Sequence, residues 1–294
     1  MFEIRADIPY QHIAFDHGIV VSVKRIDLVH PHIAGNKFYK LKYNLQAARE
    51  QGKTLLISFG GAYSNHIHAL AHAAHEYGFQ ALGIIRGQEL AEQPLNPTLQ
   101  DAADLGMQLQ FISRADYRQK HTPAFLQAAL NQYPHAYVIP EGGSNALAIQ
   151  GCEEILSTAD KKNFDVICCA VGTGGTIAGI INASSDSQHI IGHAALKTDY
   201  LSAEVAQHTK RRNWHITSED VFGGYGHFNA ELLDFIAATE ATHGLPLDPV
   251  YTGKAYYRLC QHIQAGDFAP HSRILFIHTG GLQGHRPANP AQPA

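Results

Sequence analysis

Five consecutive residues, Gly172, Thr173, Gly174, Gly175 and Thr176, are the part of this chain best suited to hold an anion. They follow an apolar run of β-branched and small residues, Val166 to Val171, and precede an apolar stretch with helical spacing. Glycines let the backbone approach an anion closely, while loop N–H groups and a helix N-terminus turn positive charge toward it. The two threonine hydroxyls add donors. The expected chemistry is capture of a phosphate, most simply one carried by a cofactor. The dinucleotide fingerprint G-x-G-x-x-G fails, because Ile177 stands where its third glycine should be. No Gly-Lys-Ser/Thr follows, so the ATP-type loop fails too. The same residues would also make a tight strand-to-helix turn that binds nothing.

A second chemical candidate is Lys37, which follows Gly35 and Asn36 and precedes a helical pattern. A helix start disfavours a cation and would lower the amine's pKa. A neutral amine at ordinary pH is what imine chemistry requires. A solvated lysine beside a turn is the competing explanation of the isolated segment.

The elements that must position these groups alternate along the chain. KTLLISFGG, FQALGIIRG, MQLQFIS, AYVIPEGG, FDVICCAV, QHIIGHAAL, RNWHITSED and SRILFIHTGG have strand character. Between them lie helical patterns. NHIHALAHAAHEYG stops at Gly78, NPTLQDAADLG at Gly106, and TPAFLQAALNQYP opens on Thr-Pro. SNALAIQGCEEILS has Ser144 as its expected N-cap. Further helices are expected near 200–211, in ELLDFIAATEATHG and in AYYRLCQHIQAG. Strands alternating with helices predict a parallel sheet in an α/β fold. Ligands gather at the carboxyl ends of such strands. Three ends carry polar or glycine clusters, FGGAYSN at 59–65, VGTGGT at 171–176 and HTGG at 278–281. Their convergence on one site is the expectation. The Pro- and Ala-rich tail, GHRPANPAQPA, is expected to be loose.

Composition narrows the class. With 294 residues, 45% hydrophobic and 16% charged, the chain is an ordinary globular protein with room for two lobes. A net charge of −4 gives no reason to expect nucleic acid, and no apolar run is long enough for a membrane span. The first residues, MFEIRADIPYQHIAF, have no apolar signal core, so a cytoplasmic location is expected. Cys152, Cys168, Cys169 and Cys260 match neither zinc nor disulfide spacing and are expected to be reduced core thiols. His68, His72 and His75 fall on one helical face, but without HExxH or a carboxylate at ligand spacing no metal is expected.

Six segments taken together resemble the pyridoxal-phosphate (PLP) enzymes of the tryptophan-synthase-β-like group. Within it they are similar to the 1-aminocyclopropane-1-carboxylate deaminase and D-cysteine desulfhydrase family. AGNKFYKLKY matches that family's GGNKxRKLEY, and GGAYSN at 60–65 matches GGxxSN. EGGSN at 141–145, GTGGT at 172–176, DPVYTGK at 248–254 and HTGG at 278–281 complete the series in family order. Each match is weak, but six in order over residues 35 to 281 are specific.

The resemblance implies a two-domain α/β architecture of open twisted sheets flanked by helices, PLP fold type II. A larger cofactor domain would comprise 1–49 and 143–294, with a smaller inserted domain at 50–142. Lys37 would carry the cofactor covalently, and Asn65 would hydrogen-bond its 3′ oxygen. Gly172, Thr173, Gly174, Gly175 and Thr176 would hold its phosphate. Lys40, one turn beyond Lys37, would either add charge to that phosphate or face solvent. Ser64, Tyr225 and Tyr251 would lie on the substrate side. Thr279 would approach the pyridine nitrogen, and a hydroxyl there makes the ring a weaker electron sink. The partners implied are a small amino-acid substrate and a second copy of the chain.

Thr252 and Thr279 favour the desulfhydrase-like branch, since deaminases carry DPVYEGK with HLGG. The implied reaction is elimination and deamination of a small amino acid, D-cysteine first, giving pyruvate, ammonia and sulfide. The α-proton would go to Lys37 or to a nearby hydroxyl. Ring opening of the cyclopropane, or elimination or racemisation of another small amino acid, shares these motifs. Two departures bear on the substrate. Thr-Arg after the lysine is Phe38-Tyr39 here, and Gln-Thr-Arg after Ser-Asn is His66-Ile67-His68. They are the only support for a catalytically silent PLP-fold binding protein. A nucleotide-dependent oxidoreductase is disfavoured because QHIIGHAAL ends without a ribose-binding acid.

Overall fold

The computed structural model describes residues 7–196, 200–218 and 222–284. Two short strands come first, β1 (Tyr10–Ala14) and β2 (Val20–Lys24), followed by α1 (Asn36–Glu50). Then come β3 (Leu55–Gly60), α2 (Asn65–Tyr77), β4 (Gln80–Arg86), α3 (Pro97–Asp104) and β5 (Gln108–Ile112). The short α4 (Arg114–Tyr117), α5 (Pro123–Gln132) and β6 (Ala136–Val138) follow. After α6 (Ala146–Glu153) and α7 (Thr158–Asn163), the chain alternates β7 (Val166–Val171), α8 (Gly175–Ala183), β8 (His189–Ala194), α9 (Leu201–Ala206) and β9 (Trp214–Thr217). Two long helices, α10 (Ala230–His243) and α11 (Thr252–Ala265), precede β10 (Arg273–Ile277).

The expected alternation is present and makes an α/β fold with two sheets. One has the order β1-β2-β10-β7-β8-β9, the other β5-β4-β3-β6. All pairs are parallel except β1–β2, an antiparallel edge hairpin that sequence periodicity did not reveal. The strands of the four-stranded sheet are contiguous in sequence, from 55 to 138.

The largest core lies where α1, α2, α6 and α8 pack between the sheets, around Leu41, Leu45, Leu70, Ile149 and Ile180. A second core covers the other face of the large sheet beneath α10 and α11, around Ile236, Leu259 and Phe276. A third, with Phe59, Ile84 and Tyr117, lies on the outer face of the small sheet. All four cysteines are buried free thiols, and burial pushes the Cys152 thiol up to about 11. Among the described residues no helix is long and apolar enough to cross a membrane. The Pro- and Ala-rich tail beyond Gly284 lies outside the described residues.

Local punctuation follows the chemistry of the residues. Thr122 caps α5 through Phe125 N–H with Pro123 next, Asn96 caps α3, and Gly78 ends α2 in the left-handed conformation. The Ser144 cap is corrected by one residue. Asn145 caps α6, its side chain accepting from Ala148 N–H, and Ser144 is left free for other bonds. The helix expected to reach Ser157 ends at Glu153, and Ser157 instead starts α7 with a reciprocal capping box to Asp160.

Candidate active site

The lysine turn is built by a close approach of two strand-end loops. Gly35 has φ +64°, and a Cβ there would lie 2.0 Å from the carbonyl oxygen of Thr279. Asn36 N–H donates to that same carbonyl at 3.1 Å. Only glycine admits this contact, so the GNK turn at the head of α1 is locked to the HTGG segment after β10.

Lys37 stands in the first turn of α1, and its ammonium donates to Asn36 Oδ1 at 3.1 Å. The amine is pushed down to about 7, chiefly by burial and then by the neighbouring Lys40 charge. This corrects the cause expected from sequence, which was the helix start. A cavity of about 600 Å³ has Lys37, Asn65 and Thr279 on its wall, together with Asn36 and Gly280. Asn65 opens α2, and its Oδ1 accepts from Gln283, leaving the amide N–H₂ as its donor. Ser64 caps α2, its Oγ accepting Ile67 N–H at 3.2 Å, so the hydroxyl hydrogen is uncommitted.

The glycine loop lies on the other side of Asn36, whose Nδ2 donates to Thr176 Oγ1 at 2.8 Å. Asn36 thereby joins the lysine turn to the loop. Gly174 has φ +80° and sits immediately before α8. Thr173 Oγ1 and Ser144 Oγ are 2.6 Å apart. Lys40 reaches the same place rather than solvent. Its ammonium donates to Gly142 O at 2.9 Å, Ser144 Oγ at 3.0 Å and Thr173 Oγ1 at 3.4 Å. A Cβ on Gly175 would lie 3.4 Å from Lys40 Nζ.

Lys40 is only 2% exposed, and no carboxylate pairs with it among the described residues. Burial lowers its pKa. A buried cation surrounded only by neutral oxygens is unfavourable unless an anion joins it. The phosphate of PLP is such an anion, and the glycine loop with the start of α8 offers it backbone donors. The residues present therefore fit that group.

Tyr251 rests on the beginning of the loop, its Cε1 3.0 Å from where a Cβ on Gly172 would be. Its hydroxyl donates to Tyr225 Oη at 3.1 Å. Burial, with Tyr225 second, raises the Tyr251 pKa well above 10, so it keeps its proton. Asp248 holds this tyrosine in place. One of its oxygens accepts from the N–H groups of Val250 and Tyr251, the other from the N–H and hydroxyl of Thr252. The Thr252 hydroxyl is thus committed to a turn, while Thr279 lies on the cavity wall.

The predicted residues thus form three neighbouring groups: Lys37 with Asn65 and Thr279, Lys40 with the glycine loop, and Tyr251 with Tyr225. Ser64 adjoins Asn65 but is not on the wall of the large cavity. Sequence reasoning missed Asn36 and Ser144 as site residues, although each lies in a recognised motif. Glu141 accepts from Tyr117 Oη at 2.6 Å and pairs with Lys120 at 3.1 Å.

Of the departures from the family pattern, Phe38, Tyr39 and His66 are packing positions, whereas His68 lies on the wall of the large cavity. Phe38 and Tyr39 are buried in the main core, Phe38 stacked on His30. His66 is buried and 2.8 Å from Ser58 Oγ, and burial holds its pKa well below 6.5. His68 pairs with Asp101 and abuts His72, which stacks on His32, while His75 is exposed. Among the described residues no group of His, Cys, Asp or Glu has metal-site geometry.

Comparison with known proteins bears on the same residues. The family described as "Pyridoxal-phosphate dependent enzyme" matches residues 8–280. This chain belongs to the PLP-dependent enzymes. It is 31% identical to a Thermotoga maritima protein named as a candidate 1-aminocyclopropane-1-carboxylate deaminase, over 91% of this chain and 90% of that protein. It is also 31% identical to an Arabidopsis thaliana mitochondrial protein named as a bifunctional D-cysteine desulfhydrase/1-aminocyclopropane-1-carboxylate deaminase, over 91% of this chain and 74% of that one. A solved structure described as an ACC deaminase homologue superposes with a TM-score of 0.83 and 27% identity, covering 96% of this chain and 91% of its own. The fold is that of tryptophan-synthase-β-like, type II PLP enzymes, and the chain is a PLP-dependent lyase of the elimination type.

Proposed function

We propose that this PLP enzyme eliminates the β-substituent of a small D-amino acid, D-cysteine first, releasing pyruvate, ammonia and sulfide. The observation that carries the reading is the placement of Lys37. Its amine, near pKa 7, shares one cavity wall with Asn65 and Thr279 and lies one helical turn from the buried, uncompensated Lys40.

Lys37 would carry the cofactor, Asn65 would donate to its 3′ oxygen, and Thr279 would face its pyridine nitrogen. Gly172 to Thr176 and Lys40 would hold its phosphate. When bound, PLP supplies an electron sink for the bond broken at the α-carbon. The protein supplies the proton transfers. A Lys37 amine with a pKa near 7 is half neutral at neutral pH, which suits it to take the α-proton. Ser64, whose Oγ accepts Ile67 N–H and keeps its hydroxyl hydrogen free, would donate to the substrate carboxylate at the start of α2. Tyr251 stays protonated and, with Tyr225, can protonate the departing sulfur. Thr279, in place of a carboxylate, suits a reaction whose leaving group departs readily.

The Arabidopsis relative's name covers both D-cysteine desulfhydration and cyclopropane ring opening, so ring opening is the second reading. We further propose that residues 50–142 form a smaller lobe on the larger domain of 1–49 and 143–294, and that the protein is a cytoplasmic homodimer. The buried free thiols are consistent with a reducing compartment.

The test is a visible spectrum of the purified protein, followed by pyruvate release from D-cysteine, L-cysteine, D-serine and 1-aminocyclopropane-1-carboxylate. Expected are a yellow protein, a lysine adduct at Lys37 after borohydride reduction and preference for D-cysteine. A colourless protein with no adduct after incubation with PLP overturns the reading. Faster turnover of the cyclopropane substrate moves it to ring opening.

A further inference from the structure

The two tyrosines of the site are held very differently. Asp248 fixes the turn of Tyr251 through four hydrogen bonds, whereas Tyr225 is 52% exposed in a loop of glycines. We propose that Lys254 is a positioning residue that latches this loop and so keeps the Tyr225 hydroxyl on that of Tyr251. The inference rests on the elimination proposed above, in which these two tyrosines protonate the leaving group.

The loop, residues 222–226, has the backbone of a hinge. Phe222, Gly223, Gly224 and Gly226 have φ of +49°, +89°, +103° and +74°, values that glycine tolerates and that Phe222 adopts under strain. A Cβ on Gly224 or Gly226 would meet nothing within 4 Å, so these glycines serve conformation and not close packing. The loop is anchored at either end. Phe222 packs edge-to-face on Tyr257 with ring centroids 5.1 Å apart, and Asn229 caps α10. Between these anchors Lys254 Nζ donates to the Gly224 carbonyl at 2.7 Å. The next residue is Tyr225, whose Oη accepts from Tyr251 at 3.1 Å.

The lysine stands where the fold alone gives it little advantage. Lys254 lies in the first turn of α11, where the helix dipole disfavours a cation, and it is only 4% exposed. Burial lowers its pKa, and the Asp248 charge opposes that shift. The carboxylate that fixes Tyr251 thus also favours the charge that grips the Tyr225 loop. A charged donor makes one of the stronger hydrogen bonds to a carbonyl. Here it restrains a segment exposed enough to swing aside when substrate enters.

The test is a double-mutant cycle on the holoenzyme, using whichever of the four substrates named above turns over fastest. Limited chymotrypsin digestion accompanies it, since that protease cuts after exposed aromatic residues such as Tyr225 and Phe228. Lys254→Met keeps the bulk and removes the charged donor. It is expected to lower kcat roughly tenfold and to speed cleavage within the loop by a similar factor, with or without cofactor. Lys254→Arg is expected to restore part of both. In a Tyr225→Phe background, Lys254→Met is expected to cost less than about a further twofold in kcat, because its effect passes through that tyrosine. Equal losses in the two backgrounds, unchanged cleavage in the loop, or cleavage spread along the whole chain would each overturn the latch while the functional reading stands. If the unaltered enzyme turns over none of the four substrates, the elimination reading fails and this inference falls with it.

Discussion

Lys40 is the residue whose surroundings say most about how the cofactor's phosphate would be held. Its ammonium is dry, near Thr173 and Ser144, and faces only neutral oxygens. Replacing it by methionine keeps the bulk and removes the charge. Lys40→Met is expected to raise the dissociation constant for PLP at least tenfold, measured by equilibrium dialysis, yet to leave the borohydride adduct at Lys37 at saturating cofactor. Lys37 adds a pH signature. Its amine binds a proton below about 7, and only the neutral amine attacks a carbonyl. The rate at which cofactor-free protein acquires the visible band should therefore rise as pH increases through about 7 and level off above it. Tyr251→Phe is expected to retain the cofactor while turnover falls by about 10²-fold, the lower end of a lost general acid.

At the scale of elements, the site depends on how strand ends and helix starts meet. Gly35 joins the loop after β10 to the start of α1 by a contact no side chain can share. Gly35→Ala must either push Thr279 away or abandon φ +64°. A destabilisation of about 2–4 kcal/mol is expected, from strain and lost packing together. Thermal denaturation should show it, with a parallel loss of cofactor since Lys37 and Thr279 move apart. Asn145 and Ser144 divide their labour at the start of α6. Asn145→Ala removes the cap and should cost about 1 kcal/mol. Ser144→Ala should hardly change stability but weaken cofactor retention, because its hydroxyl lies between Lys40 and Thr173.

For the whole molecule, the largest core is shared by helices that flank both sheets, so the site sits on elements buried from either side. Lys37 also enters the global balance. Its folded pKa of about 7 lies below the ordinary 10.5, so between those values the unfolded chain binds more protons. Stability of the cofactor-free protein should therefore increase with pH across that window, and Lys37→Met should flatten the slope, as urea titrations at several pH values would reveal. Bound cofactor stabilises by mass action, by about 2.7 kcal/mol at a hundredfold excess over its dissociation constant.

The alternation of strands with helices, the glycine loop before α8, and the lysine turn were all legible in the sequence. They depend on local periodicity and on residue types with few alternative uses, so neighbours in the chain suffice to define them. The order of the six motifs was enough to indicate the cofactor class. What the chain could not state locally was which side chains meet. The antiparallel β1–β2 edge, the transfer of Ser144 from cap to the Lys40 cluster, and the bond from Lys254 to the Gly224 carbonyl join residues that local periodicity does not pair. The depressed Lys37 amine has the same origin, since burial and the Lys40 charge, more than the helix start, determine it. Such effects exist only after packing has removed water and placed distant groups within a few ångströms of each other, where desolvation and charge act strongly.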